Sequence, residues 1–210
     1  MPHNSVADGH DRLRLDGALK ELVTERHLSA HVIGNTLGAL SALVGESPNS
    51  ARTMASKLAR FWRFVRDGQR MRDLRYELDG IRIGLEILEI RMAGRLVWRI
   101  EGGQGTNSKQ VPALAVQAMV DLAISEGVES STGPCTLIVR SGVSDRALYV
   151  EVEDSCIDWT GTPPESLVSL RRVLAKMYPA SDLRESISVS AKRQDGRNII
   201  RLHMPENAML

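Results

Sequence analysis

The period of the hydrophobic pattern first changes just after Gly94, and that change constrains the fold more than any other feature. Upstream, Leu15, Leu19, Leu22, Ser29, Ile33, Thr36 and Leu40 recur at alternating three- and four-residue steps, interrupted by Arg26. This is the spacing of a helical bundle seam, and it predicts a first helix from about Leu13 to Val44. The segment "GESPNS" ends it: Gly45 can take a left-handed C-cap, Pro48 cannot continue a helix, and Asn49 or Ser50 can cap the next. In "ARTMASKLARFWRFVRDG", Met54, Leu58, Phe61 and Val65 form one stripe with Trp62 beside it, while Arg60, Arg63 and Arg66 lie elsewhere. The first helix is the nearest partner for that stripe. A third helix, "RYELDGIRIGLEILEIRMAG", carries Leu78, Ile81, Leu85, Leu88 and Met92 and ends at Gly94.

Downstream, strand and helix patterns alternate. "RLVWRIEG" reads as a strand, "GGQGTNSKQ" as a loop, and "VPALAVQAMVDLAISEG" as a helix with Pro112 in its first turn and Gly127 at its end. "CTLIVRSG" and "ALYVEVED" read as a hairpin turning around Ser144 and Asp145, with Leu148, Val150 and Val152 on one face. "TPPESLVSLRRVLAKMYP" is a helix opened by prolines, and "SISVSAKRQDGRNIIRLHMP" a second hairpin marked by Asp195-Gly196. The expected fold is α+β: a polar tail over 1–10, a helical hairpin over 11–70, and a two-layer α/β sandwich over 71–206 in which a mixed sheet packs against three helices. A lone hairpin leaves one side of its seam open, and a second copy would cover it. A homodimer around a four-helix bundle is therefore expected, held by residues from about Leu13 to Val65.

Composition excludes several classes. With 27 basic and 26 acidic residues the net charge is +1, which gives nucleic acid or anionic membrane no electrostatic hold. No run approaches the roughly 18 apolar residues of a membrane span, and "MPHNSVADGHDR" lacks the segments of a signal peptide. Cys135 and Cys156 lack C-x-x-C spacing, so free thiols in a reducing compartment are expected, and the cytoplasm is the predicted location.

On the seam register, His31 lies two residues from both Ser29 and Ile33, roughly 160 to 200° around the helix, and is expected to face solvent. His27, His31 and Asn35 fall at i, i+4 and i+8 and share that face. Three readings compete there: ordinary surface residues, a metal-binding histidine pair with no convincing further ligand, or a nucleophilic imidazole displayed for phosphoryl transfer.

The stretch "LSAHVIGNTLGALSALVGESPNSARTMASKLARFWRF" resembles the phosphoacceptor region of the LytS-type sensor histidine kinases. Their motif is Asn-Pro-His-Phe-Leu-Phe-Asn, followed by a hairpin with an aromatic-rich second arm. His31 falls on the phosphoacceptor and Asn35 on the final Asn, while Ala30 replaces the Pro and Val32, Ile33 and Gly34 the middle residues. "RYELDGIRIGLEILEIRMAGRLVWRIE" looks like the family's Glu-Leu-rich helix and strand. "VPALAVQAMVDLAISEGV" looks like its Pro-Pro-Leu-x-Leu-Gln-Pro-Leu-Val-Glu-Asn-Ala-Ile-x-His-Gly segment. The resemblance spans roughly Leu28 to Pro205 and implies a GHKL-type ATP-binding sandwich as the second domain.

The nucleotide motifs depart from that family. Where its members hold magnesium and phosphate with an Asn, this chain has Leu122, flanked by Asp121 and Glu126. The Asp-x-Gly box appears as "EDSCID", keeping Asp154 as an adenine contact but placing Ser155 and Cys156 where the glycine turn belongs. Asp154 reads equally as a strand-end residue bonding its own turn. "PESLVSLRRV" stands for the Gly-rich box and contains no glycine, and Asp158 to Pro164 leaves little room for an ATP lid. "GGQGTNS" lacks the Lys-Ser/Thr ending of a phosphate loop and fits a connector.

The sequence therefore predicts a histidine phosphotransferase that relays phosphate between receiver domains of response regulators through His31. Asn35 and His27 would support the ring, and the receiver would bring the magnesium, so the chain itself needs no cofactor. The rival expectations are a pseudokinase scaffold that regulates a receiver or a sensor histidine kinase by occupancy, and an active kinase with atypical nucleotide contacts.

Overall fold

The computed structural model describes residues 30–92, 94–156, 165–177 and 187–205, with only the backbone of 30–33 and 175–177. The tail, the seam positions from Leu13 to Ser29, His27 and the Asp158–Pro164 connection lie outside the described residues. Helix α1 covers Ala30–Glu46 and α2 covers Pro48–Arg66. Gly45 stays inside α1 rather than capping it, because Ser47 extends the helical bonding by donating its N–H to Leu43 O at 2.8 Å. Asn49 and Ser50 are likewise already inside α2. Pro48 occupies the first turn, where its missing N–H costs nothing.

The expected seam register holds where it can be read: Thr36 is buried, Leu40 and Leu43 are half-buried, and Asn35 is exposed. Met54, Phe61 and Val65 of the stripe on α2 are buried and Leu58 is half-buried, with Phe64 added to the buried set. The first helix packs on α2 as the sequence suggests, and α3 (Leu74–Arg91) in addition takes the aromatic side of α2. Two glycines permit this approach. A Cβ on Gly80 would stand 2.4 Å from the Phe64 ring, and one on Gly84 would stand 3.0 Å from Phe61. Burying each of these rings contributes about 1.5–3 kcal/mol.

Two three-residue strands escape a period-based reading: β1 (Met71–Asp73) pairs antiparallel with β3 (Gln110–Pro112), and β2 (Leu96–Glu101) lies between them in the chain. Pro112 thus sits in a strand, not in the helix that follows. Helix α4 starts only at Ala115, because Leu114 takes a left-handed backbone with φ +67°. At its far end α4 passes Gly127 through a π-helical stretch, Ile124–Val128, closed by Glu129 N–H on Ile124 O at 2.9 Å.

Strands β4 (Cys135–Ser144) and β5 (Ala147–Asp154), helix α5 (Glu165–Met177), and strands β6 (Ser188–Gln194) and β7 (Arg197–Pro205) complete the chain. Both hairpins close through left-handed pairs, Asp145-Arg146 (φ 51° and 60°) and Asp195-Gly196 (φ 51° and 76°). The first turn therefore lies one residue beyond its predicted place. The sheet order is β2-β4-β5-β7-β6, with β2 and β4 parallel and every other pair antiparallel.

One sheet face, with Leu137, Val139, Val150, Val152, Ile200 and Leu202, packs under α3, α4 and α5. The other carries crossed ion pairs, Arg140 with Glu101 and Glu153, Arg197 with Glu153, and Arg201 with Glu151. This is the α+β class with a two-layer sandwich that the sequence pattern predicts. Among the described residues no helix is long and apolar enough to cross a membrane.

Candidate functional site

His31 stands in the first turn of α1, one helical turn before exposed Asn35. The residues that share its face, Gly34, Asn35, Gly38 and Ala42, are exposed, and nothing lies within 4 Å of a Cβ built on Gly34 or Gly38. Between His31 and Val44 the helix carries no charged residue. His27 lies outside the described residues. Among the described residues no group of three or more His, Cys, Asp or Glu could hold a metal ion.

Asp154, at the end of β5, has the opposite environment. It is fully buried, and its Oδ1 accepts two hydrogen bonds at 2.9 Å, from the Cys156 N–H and from Asn198 Nδ2 on β7. Its Oδ2 is sealed from solvent with no hydrogen-bond partner among the described residues. Burial raises the carboxyl above its ordinary range, against the opposing pull of the Cys156 N–H and the Asn198 amide. Gly127 packs directly on this group: a Cβ there would lie 3.0 Å from Asp154 Oδ1 and 3.2 Å from the Cys156 Cβ. Asp154 thus closes its own turn.

The acidic neighbours of Leu122 do not converge. Leu122 is itself buried in the core. Asp121 accepts from Gln117 Nε2 at 2.8 Å on the hairpin side of α4, whereas Glu126 accepts from Ser166 Oγ at 3.2 Å on α5. The "GGQGTNS" segment is a connector: Thr106 is buried and its hydroxyl donates to Gly103 O at 2.8 Å, and a Cβ on Gly103 would strike Ser141 O at 2.5 Å.

Two features were not legible in the sequence. A cavity of about 250 Å³ separates the hairpin from α3 and α4, walled by Leu58, Phe61, Trp62 and Leu85 and floored by Gln117 and Asp121. Beside the hairpin's end, Arg72 and Glu77 form a fully buried ion pair at 3.0 Å. Arg72 also donates to Phe64 O at 3.0 Å and Asp67 O at 3.2 Å, while Glu77 accepts the Leu114 N–H at 2.9 Å. The pair thereby joins the end of α2 to the start of α4 and fixes the left-handed Leu114. Desolvation pushes Glu77 up to about 7, against the opposing effects of the Leu114 N–H and Arg72. Nothing marked these residues beforehand, because a charge beside an apolar stripe ordinarily reads as solvated.

Residues 22–96 match the family model described as histidine kinase. The matched stretch takes in the hairpin, α3 and the first residue of β2. No curated protein matches the chain significantly. Among solved structures, an Acinetobacter baumannii histidine kinase, AdeS, aligns over 83% of this chain and 95% of its own at 11% identity and a TM-score of 0.47. The histidine kinase domain of the Erythrobacter litoralis EL346 blue-light activated kinase aligns over 95% and 98% at 17% identity and a TM-score of 0.46. Histidine kinase ThkA, in a complex with the response regulator protein TrrA, aligns over 99% and 69% at 10% identity and a TM-score of 0.47.

Proposed function

We propose that this chain is a two-component signalling protein of the sensor histidine kinase kind, in which His31 carries phosphate between receiver domains and no ATP is bound. The observation that carries this reading is the closure of Asp154. Its Oδ1 is taken by Cys156 and Asn198, and its Oδ2 has no open surface through which an adenine amino group could approach. Two further features agree with it. Leu122 offers no oxygen to magnesium, and the segment in the place of the Gly-rich box has side chains where backbone amides would need to meet phosphate. The residues present do not fit a nucleotide and its magnesium.

In the proposed reaction the unprotonated nitrogen of the His31 imidazole attacks the phosphorus of a receiver's aspartyl phosphate. The acyl phosphate P–O bond breaks, the receiver's carboxylate leaves, and the phosphoryl group stays on the ring. Transfer onward reverses these steps on a second receiver. The receiver supplies magnesium and the acidic pocket, and α1 supplies a nucleophile held on a helix, with Asn35 and His27 as its proposed supports. A homodimer through the hairpin would display one His31 per copy.

Calorimetric titration with Mg-ATP tests the carrying observation. No heat of binding is expected at concentrations that saturate ordinary kinases, and micromolar affinity would restore the kinase reading.

A further inference from the structure

Cys156 occupies the turn that seals Asp154, and the sheet register puts a second thiol opposite it. The paired residues of β4 and β5 run to Leu137 with Asp154. Beyond them Ser155 N–H donates to Thr136 O at 3.0 Å, and the Thr136 N–H is met by Ser155 Oγ at 2.9 Å. The ladder therefore continues through Thr136 and Ser155 as a hydrogen-bonded pair, and Cys135 and Cys156 come next, at a non-hydrogen-bonded position. Cα atoms in such pairs stand about 4.5 Å apart, inside the range a disulfide spans.

Both side chains lie on the helix-covered face. Cys135 follows the alternation of buried Leu137, and the Cys156 Cβ packs against Gly127. Both are free thiols; Cys135 is 2% exposed and Cys156 is half-buried, so an oxidant meets Cys156 first.

We infer that Cys135 and Cys156 form an oxidation site, a thiol pair that closes to a disulfide within the chain and ties the end of β5 to the start of β4. With hydrogen peroxide as oxidant, the Cys156 sulfur takes one peroxide oxygen to become a sulfenic acid, and water leaves. The Cys135 sulfur then attacks that sulfur, the S–O bond breaks, a second water leaves with the Cys135 proton, and the S–S bond forms. Each sulfur loses one electron and the peroxide gains two. Burial first, then the Cys135 thiol and the Asp154 charge, raise Cys156 above an ordinary thiol, so closure at neutral pH is slow. The inference does not depend on phosphotransfer through His31.

The test incubates the full chain with hydrogen peroxide for hours, counts thiols after denaturation, and maps unreduced peptides by mass spectrometry. The expected result is loss of both thiols with a Cys135–Cys156 linked peptide from monomeric chains, reversed by dithiothreitol. In folded Cys135→Ser, dimedone should trap Cys156 as the sulfenic acid; in folded Cys156→Ser, Cys135 should stay reduced. Chain-to-chain disulfides would overturn the inference. So would Cys156 sulfinic acid beside a reduced Cys135, or two unreacted thiols when the denatured chain reacts.

Discussion

The outward face of α1 and the strand end at Asp154 are built in opposite ways. On α1 a Cβ added at Gly34, Gly38 or Gly45 would meet nothing within 4 Å, and Asn35 and Ala42 are exposed. At the strand end a Cβ added at Gly127 would crowd both Asp154 and Cys156, and one carboxylate oxygen is taken by the protein's own donors while the other is sealed from solvent. A surface that serves a partner keeps few contacts of its own. On the proposed reading the first region serves function and the second stability, and mutations should separate the two.

The largest expected effect lies at the buried ion pair. Arg72→Met leaves Glu77 without its counter-charge and two carbonyls without their donor, and should cost about 3–5 kcal/mol in denaturant unfolding. The pH dependence has a defined sign. Burial pushes Glu77 up to about 7 in the folded chain from an ordinary 4.5, so the folded state binds its proton more tightly and stability falls as pH rises from about 4.5 to 7. The shift corresponds to something on the order of 3 kcal/mol. Glu77→Gln should flatten that slope; a slope that persists would place the titrating group elsewhere.

A smaller effect is expected at the strand end. Asp154→Ala strands the Cys156 N–H and the Asn198 amide and should cost about 1–3 kcal/mol while leaving phosphoryl transfer to the chain intact. A variant as stable as the parent but unable to accept phosphate would reverse the assignment of this region. The smallest effect belongs to α1. Ala42→Arg, on the face of His31, should stay within about 0.5 kcal/mol of the parent, because an exposed side chain has little packing to lose. Its readout is the rate of phosphoryl transfer, which should drop if a receiver docks on this face.

What the sequence discloses follows from which interactions are periodic. Met54, Phe61, Val65, Ile81 and Leu85 repeat at helical spacing, and Leu148, Val150 and Val152 alternate, so their burial is legible before any coordinates. The strands β1 and β3 are too short to show a period. The register gap at Pro112 depends on Leu114, whose left-handed backbone is imposed by Glu77 from another helix. At the candidate site, the turn-closing role of Asp154 was one of two readings open from "EDSCID". Choosing between them required Asn198, 44 residues away in the chain. The pairing of Cys135 with Cys156 likewise emerges only from the β4–β5 register.

The central claim is that His31 accepts phosphate from a receiver without nucleotide. Its most direct test incubates the purified chain with a phosphorylated receiver domain in the absence of ATP and follows acid-labile, base-stable label on the chain. Label is expected on the parent and absent from His31→Ala, with the dimer unchanged by light scattering. Label that persists in His31→Ala and vanishes in His27→Ala would contradict the helix register, and no label from any cognate receiver would contradict phosphotransfer itself.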